Sequence, residues 1–276
     1  MTGTTRAARA RYLASALVGR VTAIYPIARL LERWRAARVP KPAGPPADGL
    51  PLPPARFRIL VDGHGHPKVF LERSEIAEEQ IRDTIAKAGV KLEELGAVLD
   101  FGCGCGRTAR RWADLRGPEL HGCDYNPKVL RWCQENLPFM EFRKNSLEPP
   151  SPYPDDSFDL VYALSVVPHM SETLAPRWMA DFARILRPGG LLMLTTHGDA
   201  ERHLLQGRRT GARYDSGEPV TLGNERATGT NTCAAFHPPS YVRERLLAGF
   251  ELVASVPGGT DPRSVQDVYL ARLPGA

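Results

Sequence analysis

The sequence predicts an α/β protein: a mostly parallel sheet with helices on both faces, one antiparallel strand at its edge, and a helical arm in front. Three observations predict it. Short apolar runs alternate with amphipathic stretches from about residue 74 onward, the pattern of strands buried between two helical layers. The first such run, in "VLDFGCGCGR" at 98–107, is closed by glycines where a strand must turn back toward a helix. The last two runs, "FELVASV" and "QDVYLARL", are separated only by a "PGGTDP" turn region. That gap is too short for a crossover helix, so these strands must pair antiparallel.

In chain order, residues 1–38 read as a basic amphipathic helical arm. Leu13, Leu17, Val21 and Ile24 recur at spacings of three and four, which puts them on one helical face, and Pro26 kinks or divides the helix. Its uncharged stretches are far shorter than the ~20 residues that cross a bilayer. Residues 39–55 are dense in proline, which removes helical hydrogen bonds and makes a semi-rigid linker. The remaining domain is expected over 56–276. In it, "SEIAEEQIRDTIAKAGV" predicts a helix with Ser74 as N-cap and Gly89 at its end. "AVLDFG" follows as a buried strand, then a helix from about Arg107 to Leu115 and the strand "ELHGCD". "NPKVLRWCQENL" is a helix with Asn126 as N-cap and Pro127 in its first turn. "FMEFRKN" and "FDLVYALSVV" are the next strands. Leu174, Trp178, Phe182 and Ile185 stripe a helix that "RPGG" should stop before the strand "LLMLTTH".

The 276 residues, 42% hydrophobic and 24% charged, suffice for one large domain with an appendage. The net charge is +5, but residues 1–40 hold eight arginines against Glu32 alone. That segment therefore carries +7 and the rest −2, so attraction to anionic lipid or RNA belongs to the arm and not to the body. Five cysteines without regular spacing argue against a disulfide framework and favour a reducing, cytoplasmic location, with the arm free to rest on a membrane surface.

The loop at 98–107 could hold a metal, a dinucleotide or another ligand. Metal sites space cysteines C-x2–4-C, whereas Cys103 and Cys105 stand C-x-C with no matching pair, so no metal is expected there. His64 and His66 in "DGHGHP" lack nearby partners and read as a flexible loop. The dinucleotide fingerprint needs G-x-G-x-x-G, but Arg107 occupies the place of its last glycine, and Asp100 would repel a pyrophosphate. An acid beside this turn suits a ligand with an ammonium group and a sulfonium centre.

Asp100, Gly102, Gly104 and Gly106 resemble motif I, [DE]-x-G-x-G-x-G, of the class I S-adenosylmethionine-dependent methyltransferases. The resemblance spans roughly Gly96 to Leu273 and implies a Rossmann-like, seven-stranded sheet. It implies that Asp124, at the end of the second strand, accepts hydrogen bonds from both ribose hydroxyls and that Tyr125 packs against adenine. Asn145 and Ser146, at the end of the third strand, would read the adenine amino group, with Leu147 and Ser165 completing the cofactor wall. The implied cofactor is S-adenosylmethionine, with S-adenosylhomocysteine as product and no metal. "DDSFDLVYALSVVPHM" and "ILRPGGLLMLTTHG" resemble the family's fourth- and fifth-strand motifs.

Two histidines, His169 after the fourth strand and His197 after the fifth, are candidate general bases, with His169 the first choice. "ALSVVPHM" lacks the N-P-P-Y type sequence of amide and base methylation, and Ser165 stands where magnesium-dependent catechol enzymes carry Asp. Residues 198–236 are too long for an ordinary connection and are expected to cover the acceptor as a lid. There His203, Arg208, Arg209, Arg213 and Tyr214 offer donors to a hydroxylated or anionic substrate. The expected activity is O-methylation of a small molecule or glycan, with no specific nucleic acid as partner. A lipid or RNA acceptor gripped by the arm, and a non-catalytic cofactor-binding partner protein, are the alternatives.

Overall fold

In the computed structural model, residues 36–40, 44–205, 207–223, 228–230 and 233–275 are described, so almost all of the arm predicted over 1–38 lies outside them. Among the described residues the strands are β1 (Ala97–Phe101), β2 (Glu119–Asp124), β3 (Glu141–Lys144), β4 (Phe158–Ala163), β5 (Leu186–Thr196), β6 (Val220–Leu222), β7 (Ala234–Phe236), β8 (Glu251–Val256) and β9 (Asp267–Arg272). All except β6 and β7 form one sheet in the order β3-β2-β1-β4-β5-β9-β8. Strands β1 to β5 are parallel, and β9 runs antiparallel to both β5 and β8. The reversed strand thus lies one place in from the edge, because it is the outgoing arm of the terminal hairpin that meets β5.

The helices are α1 (Ala55–Asp62), α2 (Pro67–Ala86), α3 (Pro127–Asn136), α4 (Leu174–Ile185), α5 (Arg208–Asp215) and α6 (Pro239–Tyr241), the last continuing as a π turn over Val242–Leu246. Alternate residues of each strand feed opposite faces. Val98, Leu160 and Tyr162 pack with Ile81 and Ile85 of α2 and Leu130 of α3. Leu99, Phe101 and Val161 pack with Trp178, Phe182 and Ile185 of α4. Phe101 meets Trp178 and Phe182 edge-on, with ring centroids 4.6 and 4.7 Å apart, so truncating Phe182 to alanine would cost about 3–5 kcal/mol. The predicted stripe on α4 is therefore core.

Asn126 caps α3 by accepting from the Lys128 amide at 3.1 Å, with Pro127 in the first turn. Ser74 does not cap α2: the helix starts a full two turns earlier, its N-cap is His66, and Ser74 is buried in mid-helix with its hydroxyl bonded to the Leu71 carbonyl. The "DGHGHP" histidine thus serves the helix start. The helix expected over 107–115 shrinks to a 3-10 turn at Ala109–Trp112, pinned by the buried Arg110. That guanidinium pairs with both oxygens of Asp48, at 2.7 and 2.8 Å, and bonds the carbonyls of Leu50 and Pro51. The proline-rich stretch is thereby fastened to the domain. "RPGG" does stop α4, but it is itself the start of β5, with a register shift against β4.

Candidate active site

The carboxyl ends of β1 to β4 open onto one cavity. Its floor is the glycine loop, fixed because the amides of Gly102 and Cys103 both donate to the Cys123 carbonyl at 2.9 and 3.0 Å. Gly104 has φ +56, and a Cβ there would lie 2.7 Å from Val61 of α1, so glycine alone lets that helix close over the loop. Gly102 and Gly104 line the cavity, but Gly106 does not. It faces the other way, where a Cβ would strike Leu137 at 2.5 Å; its role is packing against the end of α3, which corrects its assignment to the ligand. The loop thiols are core groups. Cys103 and Cys133 lie 3.9 and 3.4 Å from the Gly104 carbonyl. Burial pushes the thiols of Cys105 and Cys123 up, and Cys103 is pushed up by its Cys133 neighbour and by burial, which makes them inert.

Four polar side chains face this floor. Asp124 accepts from the Gly104 amide through Oδ2 at 2.9 Å and from the Asn126 amide through Oδ1 at 2.7 Å. Burial raises it to about 6 against those two bonds. Asp100 is buried at the end of β1 and raised to about 7 by desolvation, although the Tyr162 hydroxyl donates to it and Arg107 lies nearby. Tyr162 in turn accepts from Trp112 Nε1 at 2.8 Å. Asn145 donates to the Ser146 carbonyl at 2.7 Å. Arg107 donates to Asp62 of α1 at 2.9 Å.

Each of three of these residues keeps one buried atom with no protein partner: Asp100 Oδ2, Asn145 Oδ1 and Arg107 Nε. A buried polar atom left unpaired costs ~1–3 kcal/mol, so a ligand that supplies two donors and one acceptor here is favoured. The ammonium, adenine amino and carboxylate groups of S-adenosylmethionine are such a set, and the residues present fit it. Tyr125, Ser146, Leu147 and Ser165 also line the cavity. Ser165 takes φ +58, held by its amide donating to Thr195 Oγ1 at 2.7 Å.

His169 lines the cavity beside Met170 and Thr230. Its Nδ1 lies 2.8 Å from the Cys233 carbonyl. A carbonyl only accepts, so Nδ1 carries the hydrogen and Nε2 is the basic atom. Burial lowers His169 to about 4, the Cys233 carbonyl opposing and His197 adding to the shift, so the ring is neutral at physiological pH. His197 is not on the cavity wall. Its ring is 3% exposed, stacks on Phe236 of β7 with centroids 5.2 Å apart, and holds Glu201 through Nδ1. It stands 6.5 Å behind His169, because its backbone bridges to Phe236 at the root of the insert, and its place as reserve base is withdrawn.

The insert folds as a 3-10 turn, α5 and the hairpin β6–β7 around a small core of Leu204, Leu205, Tyr214, Val220, Ala234 and Phe236. Its expected donors point elsewhere. Arg213 pairs with Glu172, Tyr214 is buried and donates to Asp199, and His203 bonds the Ala200 carbonyl. Neither they nor Arg209 lines the cavity, and the Arg208 side chain lies outside what is described. Leu60 and Val61 of α1 do line it, which no local signal revealed; Arg107, adjacent to the glycine motif, was legible as a cation but not as a cavity residue.

A family model described as a methyltransferase domain matches residues 98–190. The chain is 33% identical over 131 residues to a phthiotriol/phenolphthiotriol dimycocerosates methyltransferase of Mycobacterium ulcerans, covering 44% of this chain and 46% of that one. It is 32% identical over 134 residues to a 27-O-demethylrifamycin SV methyltransferase of Amycolatopsis mediterranei, covering 45% and 47%. The chain thus spans about half the length of these curated relatives. A solved S-adenosylmethionine-dependent methyltransferase from Methanosarcina mazei shares the fold, with TM-score 0.51 and 18% identity over 70% of this chain and 98% of that one. Residues 98–190 thus match a methyltransferase domain, and the sheet around them has the fold of a solved S-adenosylmethionine-dependent methyltransferase.

Proposed function

We propose that this protein methylates a hydroxyl group of an uncharged, largely apolar small molecule. The observation that carries the cofactor part is the trio of unpartnered buried atoms on Asp100, Asn145 and Arg107. Asp100 would hold the cofactor's ammonium, Arg107 its carboxylate, Asn145 and Tyr125 its adenine, and Asp124 its ribose through lone pairs that the two backbone amides leave open. When bound, S-adenosylmethionine supplies an electrophilic methyl on a sulfonium with a neutral leaving group.

The acceptor reading rests on the rest of the wall. Leu60, Val61, Leu164, Val166 and Met170 are apolar, and the described arginine on the wall, Arg107, is the one assigned above to the cofactor's carboxylate. Such a wall suits an apolar hydroxylated compound better than a glycan or an anion. His169 offers a neutral Nε2 as the atom that takes the hydroxyl proton, and Cys233 keeps that tautomer in place. Positioning supplies much of the acceleration in a transfer of this kind. Related proteins include the rifamycin enzyme and a malonyl-[acyl-carrier protein] O-methyltransferase of Serratia marcescens, names that place the methyl on oxygen. No helix among the described residues is long and apolar enough to cross a membrane.

The test is methyl transfer from isotopically labelled S-adenosylmethionine to a panel of phenols, polyketide alcohols, sugars, amines and RNA. Label is expected in alkali-stable ethers of the apolar alcohols. Label confined to sugars, amines or RNA would sink the acceptor reading, and calorimetry with S-adenosylhomocysteine checks the cofactor reading separately.

A further inference from the structure

Gly229 of the insert is a junction between two parts of the cavity that lie on different strand ends. Its carbonyl accepts from the Tyr125 hydroxyl at 2.7 Å, 104 residues away in sequence. Its amide donates to the His169 carbonyl at 2.7 Å. Its φ is +80, and a Cβ there would lie 2.5 Å from Leu147 and 3.5 Å from the Tyr125 ring. The same arm of the insert takes the His169 ring hydrogen at the Cys233 carbonyl. Gly229 therefore rests on Tyr125 and Leu147 and holds His169 by its backbone, and Cys233 holds the same residue by its ring.

We propose that the Tyr125–Gly229 clasp couples occupancy of the adenine shelf to the seating of His169, with Tyr125 as a positioning residue. This rests on the reading of Tyr125 and Asn145 as the adenine wall. The insert has its own small core and, among the described residues, bonds His169 through the Gly229 amide and the Cys233 carbonyl, so its seating is a local equilibrium of lower stability than the sheet. An adenine lying on Leu147 beneath the clasp would touch Gly229 only when the arm is seated, and a ligand with that differential contact shifts the equilibrium toward the seated form. The base is then assembled when the cofactor is present and is loosely held when it is absent. Linkage requires the reverse effect too: the clasp raises cofactor affinity by the same factor by which the cofactor favours seating.

The test is hydrogen exchange, read by mass spectrometry on the full chain with and without saturating S-adenosylhomocysteine, so that no acceptor is needed. In the wild-type protein the nucleoside is expected to slow exchange in the peptide carrying Gly229, Thr230 and Cys233 by about tenfold or more. Tyr125→Phe keeps the ring and removes the hydroxyl; affinity should fall by about two- to tenfold, the worth of one hydrogen bond. In that variant the ligand should still protect the glycine loop at 102–106 but no longer the insert peptide. Gly229→Ala, which forces a methyl onto Leu147, should give the same split. Equal insert protection in Tyr125→Phe, or wild-type binding with no protection of the insert, overturns the clasp while leaving the cofactor reading intact. No binding to the wild-type protein removes both.

Discussion

The glycine loop and the insert face each other across the cavity and are built in opposite ways. The loop is an extension of the sheet: its amides are bonded to β2, its thiols are buried, and α1 lies directly on it. The insert is a separately cored unit that, among the described residues, meets the body through the bridge at His197, the contacts of Gly229 with Tyr125 and His169 and of Cys233 with His169, the Thr221–Glu172 bond, and the ion pairs Arg213–Glu172 and Arg245–Glu218. The difference teaches where precision and adaptability reside. The part that cannot move without disturbing the sheet carries the side chains proposed for the cofactor, and the part that can carries Gly229 and Cys233, which bond His169.

Expectations at four residues would break or sharpen this contrast. His169→Ala should lower turnover of an identified acceptor by about 10²- to 10⁴-fold and leave S-adenosylhomocysteine affinity within a few-fold by calorimetry. Because burial holds His169 near 4, the acidic limb of the wild-type rate profile should fall near pH 4; a limb near 6.5 would mean the ring is not buried during turnover. Asp124→Ala should weaken cofactor binding more than tenfold, since it strips the Gly104 and Asn126 amides of their acceptor as well as the ribose hydroxyls. Unchanged affinity would contradict the ribose role and leave Asp124 as a loop brace.

Asp100 gives a pH test on the rigid side. Raised to about 7, it takes up a proton as pH falls through neutrality, and a neutral acid does not pair an ammonium. Nucleoside affinity should then fall by up to about tenfold per pH unit below 7, and binding at pH 6 should release a proton, measurable by calorimetry in buffers of different ionisation heat. For stability the sign is the reverse of the usual carboxylate. The native state holds this proton more tightly than the unfolded chain, so the contribution is full below 3.8 and lost as pH rises through 7. Asp100→Asn should accordingly raise the melting temperature at pH 8 while weakening binding. The smallest effect is expected on the insert: Arg213→Gln removes a half-exposed pair with Glu172 and should cost less than about 1 kcal/mol, with the loss confined to the insert in hydrogen exchange.

Much of the cofactor side was legible because it is written in contiguous residues. The strand-glycine-acid pattern at 98–107, Asp124 before the Asn126 cap, and the Asn145–Ser146 pair each follow from local conformation at a strand end, and the parallel order of strands gathers those ends at one rim. Gly106 shows the limit of the motif: its spacing is right, yet its neighbour is Leu137 and not the ligand. The acceptor side was read less well, since arginines on an insert look alike whether they face a cavity or a glutamate.

The sequence alone determined the layered α/β architecture, the reversed terminal hairpin and a cluster of residues at the strand ends that line one cavity, because helix period, glycine turns and N-caps act within a few residues of themselves. Only the tertiary structure decided that α1 seals the glycine loop, that Arg110 anchors the proline stretch through Asp48, that His197 sits behind His169, and that Gly229 joins Tyr125 to His169. Those outcomes depend on pairings between residues far apart in the chain, whose geometry is set by how the layers pack and by which buried charges and amides find partners once water is excluded.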